Sequence, residues 1–292
     1  MSISTSGAHS TERDSPFAFV QELARELSKG HVELPSFPDV VTRVQKAAAD
    51  PDSTSERLAK VVGADGGLVS RLFTMANSAL LHSGGAKVTD LKLAITRIGY
   101  AHVRTAALGY ATGQLLRAPE LVHIRADLER YWQESTRVAA LAYAIAREKR
   151  SARADEAMLA GLVHNIGKMY IVSRAPRASV LNTDPELRDR LLGEWHASIG
   201  QAIVENWKLS DEIATAIGGQ FDRYRTHKGA PDLQDFLVMA LAMAEQIASN
   251  DGEGAAVSAL PVAQFLGLDD AALIRIVLDV KTDLLTLQTA LG

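Results

Sequence analysis

From Pro16 onward the apolar residues of this chain recur every three to four positions rather than every two, a period that belongs to helices. In "LPSFPDVVTRVQKAAADPDS" two prolines hold the chain extended, and a helix with Val40, Val41, Val44 and Ala47 or Ala48 on one face follows before a turn. "DSTSERLAKVVGADGGLVSRLFTMANSALL" carries a capping pattern, Ser53 or Thr54 ahead of Glu56, then a helix, a glycine-bearing turn and a second helix. "VTDLKLAITRIGYAHVRTAALGYATGQLL" starts from Thr89 as N-cap and breaks at Gly99. Residues 120–149 predict one long helix with Leu128, Trp132, Val138, Leu141 and Ile145 among its apolar positions, and large aromatics in such a stripe belong to a core. A helix over 154–173 comes next, then "EWHASIGQAIVENWKLSDEIATAI", a break at Gly218 and Gly219, the polar loop "DRYRTHKGAPD", the apolar helix "LQDFLVMALAMAEQIAS" and two more helices between Leu260 and Leu291. Alternating strand-like runs are scarce, so the predicted fold is all-α. Residues 1–15 are polar and without period, which predicts a disordered leader.

Composition narrows the chemistry. There is no cysteine among 292 residues, which removes disulfides, thiolate metal sites and cysteine nucleophiles. No apolar run is long enough to span a bilayer and no basic-then-apolar leader is present, so a soluble cytoplasmic protein is expected. The net charge is -4 with basic residues dispersed, which does not favour a phosphate-tracking surface for nucleic acid. The densest basic run, "REKRSAR" at 147–153, falls at a helix end, where cations complement the dipole. The two helices around "GADGG" resemble a helix-turn-helix. Yet the second offers Leu68, Val69, Leu72, Phe73, Met75 and Ala76 to a core and only Arg71 and Asn77 as polar readers. A GxSxG elbow, a phosphate loop followed by lysine, and HExxH are all missing.

Five stretches, taken in order, resemble the HDOD domain, the HD-related output domain of bacterial signalling proteins. They are "LPSFPDVVTRVQKAAADPDSTSERLAKVVGADGGLVSRLFTMANSALL", "VTDLKLAITRIGY", "YWQESTRVAALAYAIA", "DEAMLAGLVHNIGKMYIV" and "EWHASIGQAIVENWKLSDEIATAI". The resemblance implies a multi-helix HD-domain-like bundle over 16–250, with an N-terminal helical part at about 30–118 and a degenerate HD-like part at about 119–250; helices in 251–292 pack on it. HD and HD-GYP phosphohydrolases hold divalent metal with a His, a His-Asp pair and a later Asp. Residue by residue, those positions fall here on Glu134, on His164 and Asn165, and on Glu245. An asparagine offers one neutral carbonyl oxygen and a donor where a bridging carboxylate brings a full charge, so the site loses what it needs to hold a hard cation and acidify bound water.

His196 resembles a further histidine of HD relatives and either reaches the same cavity or is a hydrogen-bonded structural residue. Lys168 lies one turn from His164; it either contacts phosphate, as an equivalent lysine does in HD enzymes, or is a solvated lysine on the helix flank. Glu134, His164 and Lys168 together are expected to form a buried polar network that needs no metal. The implied function is a non-enzymatic regulatory adaptor acting in trans, without cofactor. Its partners would be regulatory proteins such as sensor kinases, response regulators or cyclic-dinucleotide enzymes, with no nucleic acid, no membrane, and self-association left open. The alternatives are a divergent metal-dependent phosphohydrolase using Glu134, His164, His196 and Glu245, and a nucleotide-sensing module in which Lys168 and a nearby arginine hold an anion without cleaving it.

Overall fold

The computed structural model describes residues 16–29, 39–78, 86–174, 184–249 and 257–291, with the side chains of 16, 17, 20 and 282–291 outside the description. The expected leader at 1–15 and the prolines of "LPSFP" lie outside these residues. The described chain is all-α. In order it forms α1 (Pro16–Ser28), α2 (Asp39–Ala49), α3 (Ser55–Val62), α4 (Gly66–Ala76), α5 (Leu91–Arg117), a 3₁₀ turn (Pro119–Ile124), α6 (Arg125–Glu148), α7 (Ala154–Val163) and α8 (Ile166–Arg174). Then come α9 (Pro185–Asn206), α10 (Asp211–Gly218), α11 (Leu233–Ser249), a second 3₁₀ turn (Val257–Ala259), α12 (Pro261–Leu266) and α13 (Asp270–Leu291).

Local chemistry sets most of these boundaries. Thr54 caps α3 by accepting from the Arg57 amide, and Asp65 caps α4 by accepting from Gly67 and Leu68. The cap of α5 is Asp90, not Thr89: its carboxylate accepts from Leu93 at 2.7 Å and also meets the positive end of the helix dipole. Gly99 breaks α5 as expected, with φ 77° and ψ 165°, a conformation that a side chain resists. The helix expected from 120 begins instead as the 3₁₀ turn, because Pro119 holds Ala118 extended at ψ 122°. Asn77, one of the two polar residues on the helix-turn-helix-like face, bonds Phe73 and both backbone groups of Val88. Arg71 lies over the Tyr110 ring, 5.3 Å from its centroid.

α6 is the axis of the second half, packed on α5, α7, α11 and α13, and Trp132, Leu141 and Ile145 are buried along it. Against it α7 comes very close. A Cβ at Gly161 would meet Ala139 Cα at 2.6 Å, so the two backbones touch where no side chain intervenes. The helix expected over 154–173 is broken at His164 and Asn165 into α7 and α8. His164 Nδ1 bonds the Gly161 carbonyl three residues back, at 2.7 Å, and so competes with the helical ladder. Two residues on, Gly167 lets α8 leave on a new line against α9: a Cβ there would lie 2.0 Å from the His196 carbonyl oxygen. Tyr170 Oη donates to Glu26 at 2.7 Å and Arg174 approaches the same carboxylate at 3.2 Å, which ties α1 to α8.

Gly161→Ala is expected to lower stability by about 1–3 kcal/mol in urea unfolding, because the added methyl must separate α6 from α7. Gly193→Ala, at an uncrowded position inside α9, should raise it by up to about 1 kcal/mol. Equal effects at the two positions would show that backbone approach does not limit the α6–α7 interface.

Candidate functional site

The break between α7 and α8 places His164 and Asn165 at the bottom of a junction walled by α6, α9 and the end of α10. His164 is 1 % exposed and Asn165 fully buried. His164 Nδ1 donates to the Gly161 carbonyl, and its Nε2 lies 4.0 Å from Glu134 Oε1, too far for a hydrogen bond. Lys168 Nζ stands 3.8 Å from the other Glu134 oxygen and 5.5 Å from the centroid of the Tyr131 ring. Lys168 is therefore not the solvated lysine of a helix flank: its side chain is only 20 % exposed, with a carboxylate and an aromatic face as neighbours. The Asn165 amide nitrogen points at the Tyr131 carbonyl, 3.5 Å away.

Electrostatics within this group are one-sided. Burial raises the Glu134 carboxyl, but His164, the Lys168 ammonium and Asn165 outweigh it, and the pKa falls to about 2. Burial lowers the Lys168 ammonium, and the Glu134 charge opposes that. His196 on α9 is 2 % exposed, donates Nδ1–H to the Leu192 carbonyl and presents its ring to Phe221 edge-on at 5.1 Å. Burial first and the Lys168 charge second bring its pKa down to about 4, so it is neutral at pH 7. Four buried polar atoms around the junction, His164 Nε2, His196 Nε2, Asn165 Oδ1 and Gln220 Oε1, have no hydrogen-bond partner among the described residues. Above them opens a cleft of about 410 Å³ lined by Arg130, Tyr131, Lys168, His196 and Phe221 among others.

Of the positions expected to share one centre, Glu134, His164, Asn165 and Lys168 come together and His196 faces the same cleft. Glu245 stands apart. It is half exposed and paired with Arg223, and it reaches the group only as a distant charge felt by Lys168. Gln220 was not foreseen: it is 1 % exposed and donates Nε2 to the Ile217 carbonyl at 3.0 Å and toward that of His164 at 3.4 Å. It follows directly on the glycine pair that ends α10, and no periodic signal marks it.

A second polar cluster lies in the "DRYRTHKGAPD" loop. Among the described residues, the group of three His, Cys, Asp or Glu side chains with ligand atoms within 4.8 Å of one another is His227, Asp232 and Asp235. A cation already sits there, for Arg225 bonds Asp232 at 2.6 and 2.9 Å and Asp235 at 2.6 Å. Asp232 and Asp235 also cap each other's backbone amides at 2.8 and 3.1 Å, a reciprocal box that starts α11. This cluster is accounted for as an ion-paired helix cap. The Asp-x-x-Asp spacing was the available sequence signal.

The buried neutral His196 gives stability a pH dependence. Its folded pKa lies below the unfolded value of about 6.5, so the unfolded chain binds more protons between about pH 4 and 6.5. The contribution is whole above that window and is lost as pH falls through it. The urea midpoint should drop from pH 7 to pH 4.5, and His196→Gln should flatten the drop; an unchanged slope would show that His196 titrates normally.

Residues 34–221 match the HDOD domain family. A solved protein from Shewanella amazonensis, provisionally named a metal-dependent phosphohydrolase, superposes with TM-score 0.69 at 23% identity over 94% of this chain and 99% of that one. One from Marinobacter aquaeolei, provisionally named a signal transduction protein, gives 0.59 at 22% over 96% of this chain and 66% of that one. A curated uncharacterized protein of Treponema pallidum is 24% identical over 80% of this chain, which spans 45% of that relative's length. Among the described residues no helix is long and apolar enough to cross a membrane. With the all-α bundle, the junction at His164 and a match covering most of its length, the chain belongs to the HDOD domain family.

Proposed function

We propose that this protein is a non-catalytic module of bacterial signal transduction that acts through contacts with regulatory proteins, its HD-type centre turned from a metal site into an ion-paired junction. The observation that carries the reading is Lys168 Nζ, 3.8 Å from the one carboxylate of the group. A divalent ion needs several anionic or lone-pair donors converging on one point. Around the junction stand one carboxylate, the imidazoles of His164 and His196 and the neutral amides of Asn165 and Gln220, and the chain supplies a tethered cation of its own. With a single negative charge and the Lys168 ammonium beside it, that set suits Mn, Fe, Ni or Zn poorly.

Membership of the HDOD family and likeness to a protein named for signal transduction support the regulatory side of the reading. The partners are of the class that bacterial regulation employs: sensor kinases, response regulators or enzymes of cyclic-dinucleotide turnover. A second reading, in which the cleft holds a nucleotide without cleaving it, draws on one observation: Arg130 and Lys168 line a cleft of about 410 Å³ above four buried polar atoms that lack partners among the described residues.

Purification without chelator should yield metal far below one ion per chain, and cyclic and linear nucleotides supplied with Mn²⁺ should remain intact. Stoichiometric metal together with hydrolysis that His164→Ala abolishes would overturn the proposal. A rise in melting temperature with a nucleoside phosphate, lost in Lys168→Met and without turnover, would favour the second reading.

A further inference from the structure

Away from the His164 junction, a second cavity of about 400 Å³ opens where α2, α5 and the C-terminal end of α9 meet. Its size is that of a small-molecule site. We propose that it binds a small amphipathic carboxylate, a compound with one anionic head and an aliphatic or aromatic body. This stands independently of what the His164 junction does.

The body of such a compound meets apolar surface from three helices: Ala49 of α2, buried Leu108 of α5, and Trp207 at the end of α9. These come from both halves of the domain, so an occupant touches the two at once. The wall contributed by α2 is not that helix's core face. Val40, Val41, Val44 and Ala47 face inward, whereas Gln45, Lys46 and Ala49 share the flank that lines the cavity.

The head is specified by what surrounds the opening. Lys46 and Lys208 both line it, and neither has an ion-pair partner among the described residues. Asp50 also lines it, but Arg57 holds that carboxylate at 2.6 Å and neutralises it locally. Gln45 lines the cavity as well and adds a neutral amide side chain to its wall. Two lysines therefore flank an apolar recess, and a monoanion with an apolar body satisfies both parts.

The backbone at Lys208 supplies a clean test. α9 ends in a Schellman motif: the Leu209 amide bonds the Val204 carbonyl at 3.1 Å and the Lys208 amide that of Glu205 at 3.0 Å. Lys208 occupies the left-handed position with φ 57°, where glycine is at ease and lysine is not. Lys208→Gly should thus hold or raise the melting temperature while removing one head contact.

The experiment is calorimetric titration of the full chain with octanoate and 1-naphthoate, and with octan-1-ol and 1-naphthalenemethanol as uncharged counterparts. The proposal expects saturable one-to-one binding of the carboxylates, weaker by about tenfold or more for the alcohols and for the Lys46→Ala/Lys208→Gly variant. Ala49→Trp, which crowds the opening from an exposed helix position, should abolish it, and Lys60→Ala, which removes an exposed lysine outside the cavity, should leave it unchanged. Absence of saturable heat up to about 1 mM, undiminished binding in the Lys46/Lys208 variant, or loss of binding in Lys60→Ala would each overturn the assignment.

Discussion

The centre of this protein depends on two places where helix backbones meet with no side chain between them. Gly161 lets α7 lie against Ala139 of α6, and Gly167 lets α8 cross the His196 turn of α9. Between these two contacts, only six positions apart in sequence, the chain has to change direction. His164 and Asn165 sit at that bend, held from above by one glycine contact and from below by the other. Their depth and their inability to move are consequences of packing before they are consequences of chemistry, since cores pack to crystal density and resist even one added methyl.

Once the bend is fixed, the polar groups that face it have few ways to be satisfied. Glu134 stands half-exposed beside the buried His164, and Lys168, one turn along α8, supplies a compensating charge 3.8 Å away. The carboxyl is held ionised to about pH 2, and the same positive charge helps to keep His196 neutral. An HD-type arrangement asks these positions to gather donors around a metal. Here Lys168 Nζ lies 3.8 Å from Glu134, and Asn165 faces the Tyr131 carbonyl of α6.

Much of this was legible in the order of residues. Helical periodicity gave the all-α class, Gly99 marked a break that its positive φ bears out, and the stretch around His164 carried the family resemblance that the match over residues 34–221 establishes. What escaped did so for identifiable reasons. The break at His164 was hidden because apolar periodicity runs through it, while its causes, a side-chain bond to Gly161 and a contact with α9, are local geometry and tertiary packing. Lys168 took a surface appearance from its residue type and a buried role from Tyr131 and Glu134 on another helix. Gln220 and the Arg225 cluster lie in segments with no period at all, where only the folded chain brings partners together.

The proposed function rests on Glu134 and Lys168 being energetically one unit. A double-mutant cycle with Glu134→Gln, Lys168→Met and the pair together, read by urea unfolding with and without Mn²⁺, measures this directly. The account predicts a favourable coupling of about 0.5–1 kcal/mol that is the same in both conditions. Additive single effects, or a coupling that appears only when Mn²⁺ is present, would contradict it.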